Sequence, residues 1–141
     1  MDRGSILRVW LPLAFGVFAI GAIFRSVPEP RGWMPIAGLA VALFGLAGVI
    51  VSRYTLGRSF SVAAKATALV TTGIYSRIRN PIYVSGMFVI GGAILMMRRP
   101  AFLAILVIII PLQIIRARRE ATVLEATFGD AYREYRKRTW F

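Results

Sequence analysis

Arg79, Asn80 and Pro81 stand where a polar stretch runs into an uncharged one, and Arg116 and Glu120 stand where a second uncharged stretch runs out. Asn80 offers an amide donor and an acceptor, and Pro81 suits the first turn of a helix. The backbone N–H groups at such a helix start lack intrahelical partners, which makes a place for a carboxylate or a ribose. Glu120 lies one turn beyond Arg116, so the two share a helix face. Together they would hold a cationic or hydroxyl-bearing group and an anionic one. Plainer readings stay open. Arg77 and Arg79 suit a topogenic role, and Arg116–Glu120 suits a surface ion pair of roughly 0.5 kcal/mol or less. Tyr75 and Tyr83 fit an interfacial aromatic belt as well as a pocket wall. Histidine and cysteine are absent from the chain. That argues against a zinc or haem site and removes any thiol nucleophile or disulfide.

These residues must be positioned by apolar helices. Of the 141 residues, 57% are hydrophobic, and the mean hydropathy is +0.67. Four runs carry no charge: Val9–Phe24, Trp33–Val51, Pro81–Met97 and Pro100–Ile115. A bilayer core of about 30 Å takes roughly 20 residues of helix, and flanking arginines extend shorter runs by snorkelling. The expectation is an all-α integral membrane protein of about four transmembrane helices forming a single domain over residues 1–141. The first run lacks an obvious cleavage site ahead of Pro28–Pro30 and reads as a retained span rather than a signal peptide.

Charge fixes the expected orientation. Fourteen of the 18 basic residues precede the first run, lie between the second and third, or follow the fourth. Arg25, Arg31, Arg98 and Arg99 fall on the other side. The positive-inside rule then places both termini and the long link in the cytoplasm. The net charge of +12 is mainly topogenic, with the lipid bilayer as its partner. Basic residues hug the span ends instead of forming a separate basic domain, which argues against nucleic acid. Sixteen arginines to two lysines, with abundant Ala, Gly and Val, suggest a GC-rich bacterial genome and hence the bacterial inner membrane.

Finer features follow from single residues. Gly38 and Ala42 have the small-xxx-small spacing that lets helices approach closely. Residues 56–80 are too long for a turn and hold Phe60, Val62, Leu69 and Val70, so the link is expected to fold back, re-entrant-like, on the cytosolic face. Pro111 is expected to kink the fourth span. Beyond Ile115 the pattern turns amphipathic, with Val123, Leu124, Phe128, Tyr132 and Tyr135 at helical spacing. Gly129 should break that helix, and Asp130 should cap a short final one.

The segment "TTGIYSRIRNPIYVSG", followed some thirty residues later by "EATVLEATFGDAYREY", resembles the isoprenylcysteine carboxyl methyltransferase family and is similar to the related membrane phospholipid methyltransferases. With the upstream "LGRSFS" and "ALVTTG", the resemblance covers residues 56–138. It implies a membrane enzyme that uses S-adenosylmethionine at the cytosolic face. Carried over by motif, the cofactor would touch Thr67, Ala68, Leu69, Val70, Tyr75, Asn80, Pro81, Ile82, Tyr83 and Glu120. Arg116 would face the acceptor's carboxylate as the catalytic residue. The chain departs from the family at two positions: Asn80 stands where His is usual, and Ala121 replaces the second acid of a Glu-Glu pair.

The resemblance implies methyl transfer to a lipophilic small-molecule or lipidated acceptor, a carboxylate or similar nucleophile, which needs neither metal nor general base. The alternatives are N-methylation of a phospholipid amine and a non-catalytic membrane scaffold. With no His or Cys, an amine acceptor would have only Glu120, a tyrosine or water to take its proton.

Overall fold

The computed structural model of the chain describes Ala14 and residues 16–23, 25–26, 32–57 and 69–141. After a helical stretch at residues 16–23 come helices α1 (Trp33–Leu56), α2 (Pro81–Met96), α3 (Leu106–Phe128) and α4 (Asp130–Arg138). Short 3-10 turns at Gly73–Ser76 and Pro100–Ile105 precede α2 and α3. No strand occurs among the described residues; a lone parallel bridge joins Ile78 to Trp140.

Helices α1 and α2 cross antiparallel at backbone contact. A methyl group built on Gly38 would lie 2.5 Å from the Met96 nitrogen and 2.7 Å from the Gly92 oxygen. One built on Gly45 would lie 2.6 Å from the Val89 nitrogen. Real side chains cannot occupy such space, so glycine is what lets the two backbones meet. Ala42, one turn beyond Gly38, is fully buried, as is Met96 opposite. The small-residue spacing at Gly38 and Ala42 therefore marks a real crossing, and Gly45 and Gly92 extend it. Ile20, from the N-terminal stretch, packs with Ala42, Leu46 and Met96 to form the core.

Two helical segments, Trp33–Leu56 and Pro100–Phe128, are long and apolar enough to cross a membrane. Only 22% and 6% of their apolar windows are buried, and Val107 and Ile108 are 73% and 64% exposed. Long apolar helices with so little protein cover match lipid as their solvent rather than a soluble core. Helix α2 is equally apolar but has 16 residues, about 24 Å against a hydrocarbon core of about 30 Å. The four expected spans are thus two by length, with α2 shorter. Much of the Val9–Phe24 run lies outside the described residues.

Helix α3 does not stop at Ile115 but carries on through the charged residues to Phe128. Pro111 lies inside it, with helix on both sides. The chain then reverses at Gly129, where φ is 53°, and α4 returns toward the start of α2. The expected cap at Asp130 is corrected here. Gly129 occupies the cap position and no side chain caps α4. A side-chain cap needs an extended backbone, whereas this reversal needs a positive φ that glycine adopts readily. Asp130 falls one place later, in the first turn of α4, where its carboxylate pairs with Arg133 at 3.0 Å.

Residues 58–68 of the link lie outside the described residues, and the return of α4 closes over residues 75–80. The Tyr135 hydroxyl donates to the Tyr75 carbonyl at 2.7 Å. The backbone beyond α4 brackets the loop before α2: Trp140 N–H donates to Arg77 O at 3.0 Å, Arg79 N–H to Trp140 O at 3.1 Å, and Asn80 N–H to Phe141 O at 2.9 Å.

Candidate functional site

The site forms where α2 begins and where α3 leaves its apolar half. Pro81 opens α2 with Asn80 at its cap position. The Asn80 carbonyl accepts the N–H groups of Tyr83 and Val84 at 3.1 and 3.2 Å. Pro81 itself has no N–H, so fewer donors stay open at this helix start than the sequence alone suggests. The Asn80 side chain makes no cap hydrogen bond to the helix.

Tyr83, in the first turn of α2, reaches across to α3, where its hydroxyl donates to Glu120 Oε1. The Arg116 guanidinium lies over the Tyr83 ring, 5.7 Å from its centroid, within the range of a cation–π contact. A cation, a phenol and a carboxylate from two helices thus meet in one group. The 3.6-residue repeat of α3 puts Arg116 and Glu120 on the face that Tyr83 meets. Tyr83 and Glu120 are half-buried and Arg116 is exposed, so the group is partly open at the protein surface.

Tyr75, in the 3-10 turn before α2, is buried at 7% exposure. Burial pushes its phenol well above the ordinary tyrosine value, and the charges of Tyr135 and Glu120 add to the rise, while Arg53 opposes it. The Tyr135 phenol is likewise pushed up to about 12, first by burial and then by Tyr132. Both stay neutral hydrogen-bonding groups at ordinary pH.

Of the residues singled out from the sequence, Tyr83, Arg116 and Glu120 come together, Asn80 and Pro81 stand just before Tyr83 at the start of α2, and Tyr75 is buried on the link with its carbonyl held by Tyr135. Ile82 is half-buried in the first turn of α2. Leu69 and Val70 are half-buried in the irregular stretch before the 3-10 turn. Thr67 and Ala68 lie outside the described residues. The sequence reading did not foresee that Tyr135 and the Trp140–Phe141 backbone fasten the link. The visible signal was the Tyr132–Tyr135 spacing on an otherwise charged helix. Among the described residues no group of three or more His, Cys, Asp or Glu side chains is assembled to hold a metal ion.

The pattern shared by the phospholipid methyltransferases matches residues 33–131, from the start of α1 into α4. The chain belongs to the phospholipid methyltransferase family. That match takes in Tyr75 and the whole Tyr83–Arg116–Glu120 group. This phospholipid methyltransferase family member is also 29% identical over 131 residues to the rat protein-S-isoprenylcysteine O-methyltransferase, in a comparison taking in 86% of the chain and 45% of that protein. The chain therefore spans about half the length of that relative. No solved structure matches it.

Proposed function

We propose that this chain is an S-adenosylmethionine-dependent methyltransferase that acts on a lipophilic acceptor at the cytosolic membrane face. The observation that carries this reading is the Tyr83–Glu120 hydrogen bond beneath Arg116, which joins the two motif-bearing segments at the ends of two apolar helices. Four spans, cytoplasmic termini and a place in the bacterial inner membrane complete the proposal, supported by the charge-free runs and the distribution of arginine. The name of the rat relative supports transfer to an oxygen on a lipidated protein; that of the family supports a phospholipid.

The residues present fit the donor's chemistry. Glu120 is a carboxylate at a half-open mouth, suited to an ammonium or to ribose hydroxyls, and Asn80 has an amide that the helix start does not use. With Tyr75 and Tyr83 they would hold S-adenosylmethionine, which when bound supplies an electrophilic methyl on a sulfonium. Arg116, exposed beside them, would orient an acceptor carboxylate. The acceptor's lone pair forms the new bond as the carbon–sulfur bond breaks, and that electron pair stays on sulfur. No proton has to move for a carboxylate acceptor. The chain's task is then alignment and exclusion of water, where orientation supplies about 7–11 kcal/mol in favourable cases.

A phospholipid amine is the second reading, favoured by the family that the chain matches. It requires a proton acceptor, and the Tyr83–Glu120 pair is the nearest one at the mouth.

Purified protein in lipid, incubated with labelled methyl donor and total membrane lipid, tests both. Label in base-labile esters supports the first reading, and label in mono- or dimethylated ethanolamine headgroups the second. Saturable donor binding without product in any fraction would favour a scaffold that keeps the fold. Donor binding unchanged in both Glu120→Gln and Asn80→Ala would discredit the site.

A further inference from the structure

The two halves of the candidate site sit on elements that hold each other weakly. Helix α1 carries the main interface with α2, whereas α3 makes few contacts with either. Apart from the Tyr83–Glu120 hydrogen bond and the Arg116–Tyr83 contact, helix packing does little to set the distance between the Tyr75–Asn80 side and the Arg116–Glu120 side. Helix α4 is continuous in sequence with α3 and is fastened to the opposite half at two places. Tyr135, 9% exposed, donates its hydroxyl to the Tyr75 carbonyl. Five residues on, Trp140 N–H donates to Arg77 O, and the Trp140 and Phe141 carbonyls accept from Arg79 and Asn80.

We infer that Tyr135 is a positioning residue for the methyl-donor site, and that α4 with the strand-like Trp140–Phe141 segment is the strut that sets the width of the mouth. Tyr135 acts through Tyr75, and the Trp140 N–H acts through the loop that delivers Asn80. The inference rests on the methyltransferase reading above and adds to it Tyr135 and the Trp140–Phe141 backbone, which that reading does not place against the donor. A buried carbonyl that loses its only strong donor is poorly satisfied, so the Tyr75 backbone would shift until water or another donor reaches it. The donor would then meet a misplaced wall, while the acceptor side, built on Arg116, would be little changed.

Two substitutions each delete one tie. Tyr135→Phe removes the hydroxyl and keeps the ring. Trp140→Pro removes the N–H that Arg77 accepts, since proline has none. The extended backbone of Thr139 (φ −125°, ψ 148°) is what a residue before proline prefers. In full-length protein reconstituted in lipid, S-adenosylmethionine binding and steady-state kinetics are measured for wild type and both variants. We expect Kd and KM for the donor to rise roughly tenfold in each, with kcat at saturating donor and KM for the acceptor within about twofold. A general loss of folded protein would lower kcat and leave the donor KM alone. An unchanged donor KM in Tyr135→Phe, with wild type binding the donor, overturns the strut while sparing the methyltransferase reading. If Trp140→Pro fails to fold, Tyr135→Phe decides alone. Wild type that binds no donor overturns both.

Discussion

The Tyr83 hydroxyl donates to the Glu120 carboxylate across 37 residues of sequence, joining the first turn of α2 to the point where α3 turns from apolar to charged. Hydrogen bonds to charged groups contribute about 1.5–3 kcal/mol when one partner is deleted. Tyr83→Phe and Glu120→Gln are therefore each expected to lower stability, by less together than the sum of the two alone. A double-mutant cycle on chemical denaturation should return a coupling of about 1 kcal/mol or more. Additive effects would show that the bond is not maintained in the folded protein.

Arg116 stands over the Tyr83 ring with its guanidinium exposed. Arg116→Lys keeps the charge but loses the planar fork suited to a carboxylate. Acceptor KM is expected to rise about tenfold or more in steady-state assays with a carboxylate acceptor, while donor affinity changes little. Equal losses of donor and acceptor affinity would assign Arg116 to the donor's side instead.

The crossing of α1 and α2 tolerates no added volume at Gly38 or Gly45, where the first atoms met are backbone. Neither backbone can step aside as a flexible side chain would. Gly38→Ala and Gly45→Ala should each destabilise by about 1–3 kcal/mol, read as a lower thermal midpoint in detergent. Gly86→Ala and Gly91→Ala, where a new methyl meets nothing within 4 Å, should leave it nearly unchanged.

Gly129→Ala separates conformational cost from crowding. A methyl there has nothing within 4 Å, yet φ is 53° with ψ −123°, a combination open essentially to glycine. The expected loss is about 1–3 kcal/mol in denaturant titrations. Because the α3–α4 corner would shift, protection of the Tyr75–Asn80 amides from hydrogen exchange should fall as well.

Tyr75 and Tyr135 give an alkaline signature. Both phenols have folded values above the ordinary tyrosine value of about 10, with Tyr135 at about 12. The folded state therefore holds these protons more tightly than the unfolded state. The stabilisation is complete below pH about 10 and is lost as pH rises through about 12. Thermal midpoints should fall across that window, and phenolate absorbance should develop in step with unfolding. Tyr135→Phe should flatten the decline.

Much of the arrangement was legible because single residues leave strong local marks. Charge-free runs located α1, α2 and the apolar half of α3. Pro81 marked the start of α2, Gly129 the reversal, and Gly38 with Ala42 the close crossing. The shared face of Arg116 and Glu120 followed from one helical turn, and Tyr83 was visible as a possible pocket wall. Other features left no such mark. The pairing of residues 77–80 with Trp140–Phe141 is made by backbone groups that every sequence has, so residue types do not announce it. Asp130 looked like a cap because capping preference is local, whereas the reversal that shifted it depends on where α4 must return. The choice between a belt tyrosine and a bonded one at Tyr83 turned on the rotation of α3 relative to α2, which no single helix encodes.

One further property follows from α3 being a single rod that runs from lipid-exposed Val107 and Ile108, past Pro111, to Glu120. Nine residues separate that proline from the carboxylate, a lever arm of about 13 Å at 1.5 Å per residue. Pivoting it by about 10° carries Glu120 some 2 Å sideways, well beyond the stretch of under about 1 Å at which a hydrogen bond is lost. The grip of Tyr83 is thereby a gauge of how the bilayer tilts this helix, and thinner or thicker lipid should be felt first at that oxygen.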